Sequence, residues 1–294
     1  MTNETINAAA AGTWRLGDLT VNRLGYGAMR LMHKADGSAS DRDQVVAVLR
    51  RAVELGVNHI DTAAFYFSDL RSANELINTA LRPYPEDLVI ATKVGPGRDP
   101  SGAWLPPARP EQLRGQVEEN LRQLGRDHLD VVNLRIGEAL DRGEGSLAER
   151  FGVLAELREA GLIRHLGISN VGPEHLAEAR EIAPVVCVQN QYGVSVRRED
   201  DELLRLCGEL GIAFVPFFSV FSSTLSPRGT EEIETIAKAH DASPAQVRLA
   251  WTLQRGPHVL AIPGTGDPRH LEENVAAAGL RLSEAELATL DSIR

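Results

Sequence analysis

Eight short apolar runs alternate with amphipathic helical stretches and predict an α/β fold, a (β/α)8 TIM barrel with an N-terminal β-hairpin. The runs are 24–28, 57–60, 88–92, 129–134, 163–168, 185–189, 212–217 and 259–262. The second observation is punctuation. Gly56, Gly161 and Gly211 each stand between a helical stretch and a strand, where a left-handed cap is wanted. The third is the lack of an open-sheet signature: the nearest match to GxGxxG, GYGAMR at 25–30, has no third glycine.

Each element has its own signal. TWRLGDLTVNRLGYG reads as a strand, a turn at Gly17-Asp18 and a second strand, a hairpin placed to plug the barrel bottom. Helical patterns cover 41–55, 71–81, 110–124, 146–160, 173–182, 199–210 and 230–239. Three more follow at 243–255, 268–277 and 283–292. Gly172-Pro173 and Ser243-Pro244 put proline in a first turn. A single barrel domain over 1–294 is expected, since a chain of this length buries a full core without disulfides or metals.

Composition narrows the function classes. A net charge of −10 and a pI near 5.4 argue against a nucleic-acid or anionic-membrane surface. Cys187 and Cys207 lack metal-type spacing and read as core thiols in a reducing compartment. MTNETINAAAAG has no basic region, and no apolar stretch reaches membrane-spanning length, so the cytoplasm is the expected location. There is no Walker A loop, HExxH or nucleophile elbow, no metal site is expected, and oligomeric state has no signature.

The chemistry is concentrated in two segments, NHIDTAAFY (58–66) and VIATKVG (89–95), each at the end of a predicted strand. Barrel active sites lie at the C-terminal strand ends, so Asp61, Tyr66 and Lys93 face one rim. A tyrosine is a weak acid, with a free pKa of about 10. A neighbouring ammonium favours its phenolate, and a carboxylate beyond the lysine keeps that lysine charged and aimed. The trio therefore makes a proton donor for a carbonyl oxygen. Taken singly, each residue has a structural reading: Asp61 as a cap, Tyr66 as a rim aromatic, Lys93 as a surface charge.

With these segments, HLGISN (165–170), VQNQY (188–192) and IPGT…EEN (262–274) fall in order, and the chain resembles the aldo-keto reductases over essentially its whole length. LGYGAMRL, LDVVNLR and VPFF resemble a bacterial subgroup that includes pyridoxal/pyridoxine-type reductases. The resemblance implies Tyr66 as general acid, Lys93 as the residue that lowers its pKa, and Asp61 as the group that fixes Lys93. It places Ser169, Asn170 and Gln189 on a nicotinamide carboxamide and Phe217 against the nicotinamide ring. Gly27, Met29 and Asp61 would lie beside the cofactor, with Thr265, Glu273 and Asn274 at its adenosine end. The implied activity is reduction of an aldehyde or ketone, including a pyridoxal-like one, with NADPH or, alternatively, NADH.

Three departures matter. Arg135 stands where the family usually has a catalytic histidine, and arginine is always cationic with a planar fork of donors. Arg135 is expected to stabilise an oxyanion or hold a substrate anion; the structural alternative is an ion pair with an acid such as Glu138. At the phosphate end Gly264 and His270 replace the basic residues common in NADPH-preferring members, Asp267 adds an acid, and Arg269 lies close by. Thr265, Gly266 and the following helix N-terminus remain able to bind an anion there. The loop SVFSSTLSPRG is shorter than the subgroup's, which points either to faster cofactor exchange or to lower cofactor affinity, and Trp104 is a candidate substrate-pocket wall, with packing of its own loop as the structural alternative. Two other classes stay open: a cofactor-binding regulatory or accessory module, and a specialised biosynthetic enzyme on the same scaffold.

Overall fold

The computed structural model describes residues 6–33, 37–137, 142–196, 200–220 and 225–293. Its strands are β1 (Thr13–Leu16), β2 (Leu19–Asn22), β3 (Tyr26–Gly27), β4 (His59–Asp61), β5 (Phe67–Ser68) and β6 (Arg71–Ser72). They continue with β7 (Val89–Val94), β8 (Leu129–Arg135), β9 (Ile163–Ser169), β10 (Val185–Gln189) and β11 (Ala213–Phe214). The helices are α1 (Arg42–Glu54), α2 (Ala73–Leu81), α3 (Pro110–Leu124), α4 (Ala148–Glu159) and α5 (Pro173–Ile182). After them come α6 (Asp201–Glu209), α7 (Pro227–Ala239), α8 (Pro244–Gln254), α9 (Pro268–Ala276) and α10 (Glu284–Ser292).

Seven strands pair in parallel in the order β11-β10-β9-β8-β7-β4-β3. The segment 258–263 closes the ring by bonding to both edges. Leu260 N donates to Phe214 O at 2.9 Å, and Ala261 N donates to Arg23 O at 2.8 Å. Closure satisfies both sheet edges at once, which is why the barrel needs no covering element there. Gly27 and Gly264 are required at this seam: a Cβ on Gly264 would stand 2.3 Å from Gly27 O, and one on Gly27 2.6 Å from Ile262 O.

Strand alternation then sorts side chains by face. Ile90, Val94, Val132, Leu134 and Val188 point outward into the large core shared with the helices. Val89, Ala91, Val131, Cys187, Ala213, Val215 and Leu260 form a smaller inner cluster. Leu16 and Val21 of the β1–β2 hairpin join that cluster, so the hairpin does plug the barrel bottom. Arg164 and His165 on β9 bond Asp18 at its turn, at 2.6 and 2.5 Å. Moving up the interior, the apolar residues give way to Asp61, Lys93, Asn133, Ser169 and Gln189, all buried. The barrel is therefore dry at one end and polar at the other, which locates the chemistry.

Boundaries shift where backbone chemistry intervenes. The strand expected over 212–217 is regular at Ala213–Phe214 alone, because Pro216 has no N–H to donate. The strand expected over 24–28 bends at Ala28 into a 3-10 turn. The helix expected at 230 starts at Pro227, capped by Ser226 Oγ accepting from Gly229 N at 3.1 Å. The β5–β6 hairpin was not expected; it occupies the start of the stretch read as helix 71–81. Gly56, Gly161 and Gly211 adopt the expected left-handed φ of 82°, 81° and 68°. Among the described residues no helix is long and apolar enough to cross a membrane.

Candidate active site

Asp61 ends β4, Lys93 lies near the end of β7, and the two meet inside the barrel mouth: Lys93 Nζ donates to Asp61 Oδ1 at 2.5 Å and to Thr62 O at 3.0 Å. Both side chains are buried. Burial alone pushes the Lys93 pKa down, but Asp61 and Tyr66 more than offset this, and the net direction is upward. Lys93 therefore stays charged. Its Nζ lies 5.0 Å from the Tyr66 ring centroid. The backbone that carries Lys93's second acceptor is itself fixed: Thr62 Oγ1 donates to Asn74 Oδ1 at 2.7 Å, and Asn74 Nδ2 to Asn120 Oδ1 at 3.0 Å.

Tyr66 is set by a turn after β4, with its N donating to Ala63 O at 3.0 Å and its O accepting from Ala73 N at 2.8 Å. Its ring meets Phe65 edge-on at 5.1 Å, and Phe65 meets Trp104 at 5.7 Å. Above them opens a cleft of about 890 Å³. Asp61, Tyr66, Arg135, Gly27, Met29, Phe217 and Trp104 all reach its wall. Trp104 is 62% exposed, so it flanks the opening rather than the interior.

Arg135 ends β8, half-buried, with Cζ 5.2 Å above the Phe217 ring. Burial lowers its pKa while Tyr66 and Asp61 act in the opposite sense. An arginine remains cationic through such shifts. It thus stands over the ring expected to stack on nicotinamide, and Phe218 meets that same ring edge-on at 5.4 Å. Glu138, the alternative partner, lies outside the described residues.

Ser169, Asn170 and Gln189, at the ends of β9 and β10, are buried and lie outside the cleft lining. Gln189 Nε2 donates to Asp61 Oδ2 at 2.7 Å, so one carboxylate joins Lys93 to a residue expected to hold a carboxamide. Among the described residues Gln189 Oε1 and Ser169 Oγ have no hydrogen-bond partner, although both are buried. Buried polar atoms are nearly always satisfied, and a primary amide, with donors and an acceptor, matches this pair. The residues present therefore fit a nicotinamide. Asn170 has φ 60°, a turn conformation that asparagine tolerates, and its N donates to Gln189 O at 3.1 Å.

The adenosine-end residues sit apart. Thr265, Glu273 and Asn274 lie on α9 or its approach, outside the cleft lining, and Glu273 is exposed. The helix N-terminus expected to take an anion is already capped. Asp267 Oδ1 accepts from Arg269 N at 2.8 Å, Arg269 Nη2 reaches the same carboxylate at 3.2 Å, and Thr265 Oγ1 accepts from Asp267 N at 3.0 Å. Asp267 thus caps the first turn of α9 with its own carboxylate. Of the short loop, residues 221–224 lie outside the described residues.

Sequence reasoning missed Thr62, Phe65 and Arg98. Thr62 and Phe65 were inside the motif that drew attention to Asp61 and Tyr66, but their roles come from contacts across the barrel mouth. Cys187 and Cys207 are buried with their thiols pushed up to about 12, as core cysteines should be. No group of three metal-ligating side chains occurs among the described residues.

The aldo/keto reductase family model matches residues 23–294. A pyridoxine 4-dehydrogenase from Escherichia coli strain K12 is 47% identical over 287 residues, covering 97% of this chain and 99% of that protein. Among solved structures, a thermostable aldo-keto reductase in complex with the inhibitor epalrestat is 32% identical with a TM-score of 0.80, covering 95% of this chain and 98% of that one. An aldo-keto reductase from Klebsiella pneumoniae in complex with NADPH is 28% identical with a TM-score of 0.77, covering 95% and 93%. A barrel with this polar mouth, matched along nearly its full length, belongs to the aldo/keto reductase family and is a nicotinamide-dependent oxidoreductase of carbonyl compounds.

Proposed function

We propose that the chain works as one barrel domain in the cytoplasm and reduces a pyridoxal-like aldehyde to its alcohol, with NADPH as the preferred cofactor. The observation that carries this reading is the Lys93–Asp61 pair buried under Tyr66, at the wall of a cleft large enough for a cofactor and a small ring. The pyridoxal-like substrate is supported by the 47% identity to a pyridoxine 4-dehydrogenase. NADPH is supported by the bound cofactor of the Klebsiella pneumoniae relative.

Ser169, Asn170, Gln189 and Phe217 would hold the nicotinamide, which when bound and reduced would supply the hydride for the carbonyl carbon. Tyr66 donates its phenolic proton to the carbonyl oxygen. Lys93 stabilises the phenolate that remains, and Asp61 keeps Lys93 charged and aimed. Arg135, at the same wall, offers a fixed positive charge to the developing oxyanion or to the phenolate of a pyridoxal-type ring.

The test is NADPH oxidation by purified protein with pyridoxal and simple aldehydes. Tyr66→Phe is expected to lose turnover by about 10²–10⁴-fold while cofactor affinity holds. Full activity in Tyr66→Phe would remove the residue from the mechanism. Equal affinity for NADH and NADPH would remove the cofactor preference.

A further inference from the structure

The cleft is lined by positive charge in a chain whose net charge is −10. Arg98 and Arg135 both reach its wall. The sole carboxylate among its described lining residues, Asp61, is already paired with Lys93. Arg98 is half-buried and held in place from several sides. Its Nε donates to Gly102 O at 2.7 Å and its Nη1 to Phe67 O at 3.2 Å. The guanidinium also faces the rings of Phe67 at 5.1 Å and Trp104 at 5.6 Å. Carbonyls and ring faces orient a guanidinium without cancelling its charge.

The neighbouring acid, Asp99, forms no ion pair with it. Asp99 spends its carboxylate inside its own turn, accepting from Ser101 Oγ at 2.6 Å and Ala103 N at 3.0 Å. Among the described residues Arg98 forms no ion pair, and its two hydrogen bonds use two of five N–H donors. An oriented, partly desolvated cation without a counter-ion is costly unless an anion arrives to meet it.

We propose that Arg98 anchors a carboxylate on the substrate, at the end of the molecule away from the reacting carbonyl. The proposal rests on the reductase chemistry above, not on its pyridoxal-like substrate, and adds a second substrate class: carbonyl compounds bearing a remote carboxylate. Tyr66, Phe65 and Trp104 form a continuous aromatic wall that ends at Arg98. A flat apolar body lies along that wall with its carbonyl at Tyr66 and its carboxylate at the guanidinium. The planar fork of arginine suits a carboxylate in two-point contact.

The experiment compares 4-carboxybenzaldehyde with 4-methylbenzaldehyde, similar in shape and different in charge, on cofactor-saturated protein. The carboxylate is expected to win in kcat/KM by about tenfold or more, through KM. Arg98→Met should bring the ratio of the two aldehydes close to one, and Arg98→Lys should keep part of it. Turnover of the neutral aldehyde in the same preparation reports that each variant is folded. A wild-type ratio near one, or a ratio that survives Arg98→Met, overturns the proposal. Reduction of neither aldehyde would count against the reductase reading instead. Binding of 4-(hydroxymethyl)benzoate to the NADP+-loaded protein, followed by tryptophan fluorescence, then decides Arg98 by itself. A Kd about tenfold weaker in Arg98→Met supports the anchor, and an unchanged Kd overturns it.

Discussion

Gln189 donates to Asp61 across the barrel mouth, with Nε2 2.7 Å from Oδ2, while Lys93 holds the other carboxylate oxygen at 2.5 Å. Lys93, of the proposed proton relay, and Gln189, of the proposed amide site, are thus joined through one side chain. Gln189→Leu is expected to weaken cofactor binding and slow turnover together. It removes the Oε1 acceptor and leaves Asp61 Oδ2 buried without its donor, a loss of about 1–3 kcal/mol. Cofactor Kd by fluorescence and kcat on the same preparation check this; a change in one alone would argue that the link is not functional.

Arg135 stands on one face of Phe217 and at the wall near Tyr66. If it stabilises negative charge in the transition state, Arg135→Ala lowers kcat by about 10²–10³-fold. Arg135→His restores a part of that loss, since imidazole donates a hydrogen bond with a charge that depends on pH. Unchanged turnover and substrate range in both variants would sink the functional role and leave a ring-packing one.

The Lys93 pKa is raised because Asp61 and Tyr66 outweigh burial. A group raised in the folded state adds stability that is fully present below its unfolded pKa, about 10.4, and is lost as pH rises through the folded value. Asp61→Asn removes the main raising charge and leaves desolvation in control, so Lys93 loses its proton at lower pH. The alkaline limb of the pH profile of kcat/KM should move down in this variant relative to wild type. A limb that stays in place would show that Lys93 does not control it.

Asp18 in the hairpin turn is held well below the usual carboxylate range, first by its hydrogen bond to Arg164 and then by His165. The sign is the reverse of that for Lys93. Its contribution is present above the unfolded pKa of about 3.9 and is lost as pH falls through the folded value. Thermal melts taken from pH 5 downward should show a steeper acid loss in wild type than in Asp18→Asn. Parallel curves would mean that the turn contacts do not hold the plug.

Much of the architecture was legible because its signals are local. Eight apolar runs, the left-handed caps at Gly56, Gly161 and Gly211, and the Gly17-Asp18 turn are written in neighbouring residues, and the structure follows them. Asp61, Tyr66 and Lys93 could be placed on one rim because strand ends in a parallel barrel share one face. Less legible were features whose cause is one backbone atom, such as the strand that stops before Pro216 and the helix that Ser226 starts early.

The sequence by itself determined the kind of barrel, the placing of Asp61, Tyr66 and Lys93 on one rim, and the family to which they point. Tertiary structure alone decided which groups answer to one another. It put Gln189 on Asp61, Arg135 on Phe217, and Arg98 beside two rings with no ion pair among the described residues, and it filled the α9 cap with Asp267. The physical reason is distance along the chain. Gln189 and Asp61 are 128 residues apart, and no local periodicity specifies which oxygen, ring face or charge a side chain meets after the barrel closes.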